Sequence, residues 1–450
     1  MITWRVPAIV AGAGLALVWW VPSPFLVLLG ILVLVALLAG LDWLIAAPAS
    51  EVRLRRRGPT KVRLGDTVTV TLDVTNTSVR TLRGLIRDAW VPSAGAAEPY
   101  ASVVDLDPGE TVSLDTELTP TRRGDRKAVR VTIRSYGPFG LAFRQTSART
   151  GDRITPQWTL RTLPEFRSRR LLPEKLSRLR VIDGQVVTRG RGQGSEFDSL
   201  RDYVLGDDPR SLDWRASARR EHLVVKQWRP ERDRRVLCVL DTGRTSAGRI
   251  APPDAVAGEH GIDAGEPRLD YAIDAALLLA TLAANAGDRV DLLGLDTETH
   301  ASVSTNSKRS LPKLLDALAP LEPALVETDF GRVVSEVLTL ERKRALVVIF
   351  TALDPGALGE GLLPVLPSLV SRHTVVIAAV HDPALDALAG ARSSAGALYT
   401  AAAAERGLAE LQRVRAALTR YGVHVIDAPA QTFASEVADT YLSLKAGGRL

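Results

Sequence analysis

Three short segments concentrate side-chain oxygens in a way that could do chemistry. Asp241-Thr242-Gly243-Arg244-Thr245-Ser246 follows the apolar run Val236-Leu237-Cys238-Val239-Leu240, Glu327-Thr328-Asp329 precedes Phe330, and Thr351-Ala352-Leu353-Asp354-Pro355-Gly356 follows the apolar run ending at Phe350. Carboxylates and hydroxyls suit a hard divalent cation, Mg²⁺ or Mn²⁺, which keeps several waters and takes few protein ligands. The same residue types can instead cap helices with no ligand at all, because their oxygens accept first-turn N–H groups. Other chemistries have less to work with. There are six histidines, no His-Glu-x-x-His, no phosphate loop of the P-loop form and no evident Ser-His-Asp arrangement. The single cysteine, Cys238, lies in an apolar run, which leaves neither an intramolecular disulfide nor a cysteine cluster for zinc.

These segments sit where strands should end. From Arg235 onward short β-rich runs (Val236 to Leu240, Val290 to Leu295, Ala345 to Phe350, Thr374 to Val380, Val423 to Ile426) alternate with helical stretches (Leu269 to Ala286, Phe330 to Leu340, Ala401 to Tyr421, Phe433 to Leu444). That alternation predicts an α/β doubly wound domain over 236–450, a mostly parallel sheet with helices on both faces and ligands beyond the carboxyl ends of its strands. The pattern of Asp241 with Thr245, then Thr328, then Asp354 resembles the metal-ion-dependent adhesion site of the von Willebrand factor A-type (vWA) domain, Asp-x-Ser-x-Ser with a later Thr and Asp. The resemblance implies that Asp241, Thr245, Thr328 and Asp354 hold Mg²⁺ or Mn²⁺ and that a partner's carboxylate completes the shell. Gly243 departs from it, standing where the family usually has its first Ser. A second family, the haloacid-dehalogenase-type phosphatases, also places an Asp after a first strand. It needs another Asp two residues on as acid and base, where this chain again has Gly243. A Mg-dependent phosphatase-like hydrolase using Asp241 is therefore the alternative reading, and a structural protein with a degenerate site is a third.

Residues 195–219, Ser-Glu-Phe-Asp-Ser-Leu-Arg-Asp-Tyr-Val-Leu-Gly-Asp-Asp-Pro-Arg-Ser-Leu-Asp-Trp-Arg-Ala-Ser-Ala-Arg, are dense in charge and aromatics around a Gly-Asp-Asp-Pro turn. They resemble the signature of the bacterial family called domain of unknown function 58. That resemblance extends over the whole chain and implies an ATPase partner of the MoxR AAA+ type more clearly than it implies a reaction. Arg201, Asp207, Asp208, Arg210, Asp213, Trp214 and Arg215 are the candidate partner-binding residues of this segment. Either they form a docking surface or they pair internally and pin the segment to the sheet that follows.

Before the signature, residues 49–155 read as an all-β sandwich domain. Period-two runs such as Thr67-Val68-Thr69-Val70-Thr71-Leu72 and Ala128-Val129-Arg130-Val131-Thr132-Ile133 are separated by turn signals such as Asp107-Pro108-Gly109. Residues 156–235 are then a charged linker that carries the signature. Residues 1–48 read as an N-terminal transmembrane helical hairpin. Val6 to Val21 and Phe25 to Leu41 are apolar, Pro22-Ser23-Pro24 divides them, and Trp4, Trp19, Trp20 and Trp43 fall at the four ends. Arg5 before the first span and Arg53, Arg55, Arg56 and Arg57 after the second predict a multi-pass protein of the bacterial cell membrane with its soluble domains cytoplasmic. A signal peptide cut after Ala47-Pro48-Ala49 is the competing reading, against which stands the length of the apolar region. The net charge of +6 does not call for nucleic acid, because basic residues are mixed with acids, as in Glu231-Arg232-Asp233-Arg234-Arg235, and no groove-reading motif accompanies them. The expected function is that of a membrane-anchored, non-enzymatic adaptor whose vWA-like domain binds a protein partner with an acidic side chain, working with a MoxR-type AAA+ ATPase in assembly, maturation or envelope processes.

Overall fold

A computed structural model describes the chain except for residues 18–23, 190–195, 205–211, 221, 230–233, 251–264, 306–310 and 393. It is a mixed α/β protein that divides into two compact units, Met1–Leu163 and Pro164–Leu450.

The first unit opens with helices Arg5–Leu17 and Pro24–Ile45. Of these, one is long and apolar enough to cross a membrane, Phe25–Ile45, with a mean hydropathy of 2.8. Two sheets follow. Strands Val52–Arg57, Val68–Asn76 and Thr111–Leu118 form an antiparallel three-stranded sheet. The second sheet is built mainly from Lys61–Arg63, Thr159–Leu163, Gly124–Tyr136, Leu82–Trp90 and Ser102–Leu106, in that order. Alternation decides which side chains are inside. Leu72 and Val74 from the first sheet share a core with Leu82, Ile86, Val104, Leu106, Val131 and Ile133 from the second, while the intervening residues face outward.

Both helices are tied to one loop of this β-rich region. Ile2 forms an antiparallel bridge with Ala142, and the Thr3 N–H donates to Leu141 O at 2.9 Å. Asp42, fully buried near the end of the second helix, accepts the N–H groups of Phe139, Leu141 and Ala142 at 2.8, 2.7 and 2.8 Å. Three N–H donors satisfy a carboxylate that could not otherwise be buried at tolerable cost. Gly137 is required beside it, since a Cβ there would lie 2.1 Å from Asp42 Oδ1.

The second unit is organised on a six-stranded sheet in the order Thr299–Thr305, Arg289–Leu295, Arg235–Asp241, Leu346–Phe350, Thr374–His381, His424–Pro429. All neighbours are parallel except the edge pair formed by Thr299–Thr305. Burial on both faces explains the uninterrupted apolar runs. Val236, Cys238 and Leu240 face one side, against Leu269, Ile273 and Ala276 of helix Arg268–Asn285 and Val437 and Tyr441 of helix Ala430–Ala446. Leu237 and Val239 face the other, against Val333, Val334 and Val337 of helix Phe330–Leu340 and Val414 and Leu418 of helix Ala395–Arg420. Each buried Val, Leu or Ile among them contributes roughly 1.5–3 kcal/mol by leaving water.

Within 156–235 the structure has a helix, Leu172–Arg189, whose Leu172, Leu176 and Leu179 join the first of these cores. Its buried Lys175 donates to both oxygens of Asp439, at 2.9 and 2.8 Å. The signature begins as strand Glu196–Asp202, antiparallel to Val224–Arg229, with the short helix Trp214–Arg220 between them in sequence.

Candidate functional site at the strand ends

The chain runs from the Arg235–Asp241 strand to the two strands on one side of it, then returns to Leu346–Phe350 on the other. The crossovers therefore change direction between these two central strands, and in open parallel sheets the crevice beyond the carboxyl ends at that point is where ligands bind. Asp241 is the last residue of the first of these strands. Because Leu240 is in register with Phe350, the residue after Phe350, Thr351, comes level with Asp241.

Asp241 is 2% exposed and both its oxygens are occupied. Oδ1 accepts the Thr328 hydroxyl at 2.5 Å and the Gly243 N–H at 2.8 Å. Oδ2 accepts the hydroxyls of Thr245 at 2.7 Å and Thr351 at 2.6 Å. One carboxylate thus fastens three loops to one another. Backbone bonds repeat the arrangement: Ala324 N–H donates to Thr242 O at 2.7 Å and Arg244 N–H to Val326 O at 2.8 Å. Outside them an Arg244–Glu327 ion pair at 2.6 Å spans two exposed side chains.

The close packing accounts for Gly243. Its backbone is extended, with φ −79 and ψ −169, so no unusual dihedral demands glycine. A Cβ there would, however, lie 2.1 Å from Thr328 Oγ1 and 2.8 Å from Val326 O. The Thr328 hydroxyl occupies the space that a serine at 243 would need.

Of the four expected metal ligands, Asp241, Thr245 and Thr328 come together. Asp354 makes no hydrogen bond to them among the described residues; its Oδ1 accepts the Ala357 N–H at 2.9 Å. No group of three His, Cys, Asp or Glu side chains placed to hold a metal ion occurs among the described residues. The donors that converge here are one carboxylate and hydroxyls.

Sequence reasoning missed a neighbouring cluster. Asp296, directly after the Arg289–Leu295 strand and 2% exposed, accepts the Thr242 hydroxyl at 3.0 Å and pairs with His300 Nε2 at 2.8 Å. Burial pushes its carboxyl up, but the Glu298 N–H, His300 and Thr242 together hold it below the ordinary carboxylate value. Its legible signal was a carboxylate immediately after an apolar strand, the same signal that singled out Asp241.

The signature residues divide. Asp207, Asp208 and Arg210 lie outside the described residues. Asp213 caps helix Trp214–Arg220, its Oδ1 accepting the N–H groups of Arg215 and Ala216 at 3.1 and 3.0 Å. Arg201 donates to Asp202 O at 3.0 Å, Arg215 is exposed, and Trp214 is 68% exposed.

The fold and this site define an α/β protein with an oxygen-lined strand-end centre at the point where the crossovers reverse. Residues 199–397, which hold all but the first four residues of the signature and the three loops that meet at Asp241, match the family described as protein of unknown function DUF58. Uncharacterized proteins of Mycobacterium bovis and Mycobacterium tuberculosis are each 27% identical over 212 residues, 45% of this chain and 60% of theirs. The match thus spans less than two thirds of the length of these curated relatives. Among solved structures, an Escherichia coli alpha-2-macroglobulin aligns with 22% identity over 27% of this chain and 17% of that one, with a TM-score of 0.21. Proximal thread matrix protein 1 from the mussel byssus aligns with 11% identity over 48% of this chain and 46% of that one, with a TM-score of 0.26.

Proposed function

We propose that this protein is a membrane-anchored, non-enzymatic adaptor that binds a protein partner at the Asp241 end of its six-stranded sheet. In this reading the second unit is a doubly wound vWA-like domain and the β-rich part of the first is a sandwich. The observation that carries the proposal is the saturation of Asp241. A carboxylate that accepts three hydroxyls and a backbone N–H while buried is organised to hold loops in one shape, and a nucleophile or general base needs an unoccupied oxygen facing its substrate.

A hard divalent cation fits this donor set through the hydroxyl oxygens of Thr245 and Thr328. Their protons point to Asp241, leaving lone pairs for the ion, and water and a partner's carboxylate would supply the remaining positions. The partner would seat on the exposed rim, where Leu325 is 82% and Val326 40% exposed. A MoxR-type AAA+ ATPase, implied by the family resemblance, is the proposed partner. The protein is further read as multi-pass, with both units cytoplasmic. In support, the start of the first helix and the end of the second are tied to the same 137–143 loop, as in a hairpin that leaves and re-enters on one side.

The test is binding of the full chain, reconstituted in nanodiscs, to the MoxR-type ATPase of the same genome, with Mg²⁺ and with a chelator, alongside calorimetric titration of Mg²⁺ and Mn²⁺. The expected result is metal-dependent association that Asp241→Ala and Leu325→Asp each weaken. Undiminished association in both variants refutes the site. Hydrolysis of a generic phosphomonoester that Asp241→Asn abolishes would instead make the chain a phosphatase.

A further inference from the structure

The two N-terminal helices and the Ala142 edge of the β-rich region enclose an apolar recess of about 470 Å³, open on one side. Small residues create it. Ala36 and Gly40 lie one turn apart on the second helix, and a Cβ on Gly40 would meet nothing within 4 Å. Val10, Leu32 and Trp43 supply the walls. Its size falls within the roughly 300–1,000 Å³ of ordinary ligand sites, and its lining offers almost no hydrogen bond, so a polar ligand would be desolvated there without return.

One end of the recess is cationic. Arg5 adjoins Val6 of the lining, and among the described residues its exposed guanidinium donates to Phe139 O, at 3.4 Å. Arg144 lies over the Trp43 ring at 4.3 Å and donates to Trp43 O at 2.8 Å. Among the described residues neither guanidinium is ion-paired. Asp42, on the same second helix, has both oxygens committed to the N–H groups of Phe139, Leu141 and Ala142. Two guanidinium groups with no ion-pair partner among the described residues therefore adjoin Val6 and Trp43 of an apolar slot that lies along a helix able to cross a membrane.

The geometry points to a resident anionic phospholipid, one acyl chain in the recess between the helices and its phosphate held by Arg5 and Arg144. Both ends of the slot are matched. The chain buries methylene groups against Leu32, Val35 and Ala36, and the headgroup charge meets guanidinium groups that can each donate to two phosphate oxygens. A zwitterionic lipid offers the same chain but brings its own cation to the rim, so the site discriminates by headgroup charge. This inference rests on the reading of the N-terminal helices as a membrane anchor.

The experiment uses the full chain. Flotation with liposomes tests the anchor itself: failure to float removes the anchor and the lipid site together. For protein that floats, native mass spectrometry of detergent-solubilised chain counts bound dioleoyl-phosphatidylglycerol and dioleoyl-phosphatidylcholine at equal concentration. The expected preference for the anionic lipid is roughly tenfold or more, with about fivefold lost for each of Arg5→Gln and Arg144→Gln. Gly40→Leu, which fills the slot and leaves both arginines, lowers binding of both lipids. Equal retention of the two lipids by the wild type, or an anionic preference that survives both arginine substitutions, overturns the site while leaving the anchor intact.

Discussion

Replacing Gly243 by serine would restore the residue that the adhesion-site pattern carries, yet the geometry predicts that it damages the centre. The extended backbone of Gly243 accepts any residue, so the effect is steric. The new Cβ would lie 2.1 Å from Thr328 Oγ1, 2.8 Å from Val326 O and 3.2 Å from Asp241 Oδ1. Relief requires the Thr328 hydroxyl to abandon Asp241, or the loop carbonyl that receives the Arg244 N–H to move. Overpacking of this kind costs about 1–3 kcal/mol, and a lost hydrogen bond to a charged group about 1.5–3 kcal/mol more. A total of roughly 3–5 kcal/mol lowers the melting temperature of the carboxyl-terminal unit by about 6 °C or more. Scanning calorimetry of the full chain in detergent would measure this, together with the Gly243→Ser/Thr328→Ala double variant. Thr328 Oγ1 is the nearest obstacle, so its removal should recover a large part of the loss, with a coupling of about 1–3 kcal/mol. A Gly243→Ser protein that melts within about 1 °C of the wild type, well below the shift that even 1 kcal/mol produces, would refute the account of why glycine stands there.

Three other outcomes follow from buried or paired charges. Lys445 donates to Asp288 at 3.1 Å with both side chains nearly inaccessible, so Lys445→Met should cost about 3–5 kcal/mol by stranding a buried carboxylate; a denaturation midpoint unchanged from the wild type would contradict this. Burial pulls His381 down, but Asp386 at 2.7 Å and Asp427 at 3.5 Å outweigh it and raise its pKa above the ordinary 6.5. A raised histidine stabilises fully below its unfolded value and ceases to do so as pH climbs through its folded value. The stability advantage of wild type over His381→Gln should therefore be greatest below about pH 6.5 and vanish on the alkaline side, and a gap that grows with pH would exclude it. Asp42→Ala would leave the N–H groups of Phe139, Leu141 and Ala142 without their acceptor, at roughly 1–3 kcal/mol for each one that water cannot reach; limited proteolysis should then cut within 137–143, and an uncut loop would count against the clamp.

The strands of the second unit were legible because each is buried on both faces and so reads as an apolar run, as Val236 to Leu240 and Leu346 to Phe350 do. Helix Phe330–Leu340 announced itself through Val333, Val334 and Val337 on one face, after a capping Asp329 whose Oδ1 accepts Arg332 N–H at 2.9 Å. The edge strand Thr299–Thr305 was not read, since only Ala301 and Thr305 are buried and its alternation is faint among small polar residues. Helix Leu172–Arg189 was hidden by its charge, although Leu172, Leu176 and Leu179 hold helical spacing. The centre itself was half visible. Asp241 and its oxygen-rich companions stand out in one dimension, but that Thr351 faces Asp241 follows from the register of Leu240 with Phe350, and that Thr328 fills the place of a serine follows from loop packing across 87 residues. Neither relation leaves a local trace.

The tether between Asp42 and the 137–143 loop also sets an order of events during synthesis. Asp42 and Phe139 are 97 residues apart, and at about 5–20 residues per second the ribosome needs roughly 5–20 s to make the chain between them. For that interval the helix carries a carboxylate with none of its final donors. Until those donors exist Asp42 needs water around it, and the docking that buries it can come only after the β-rich region has left the ribosome. The helices and the β-rich region of the first unit are thereby joined late, with the capture of one side chain marking the end of assembly.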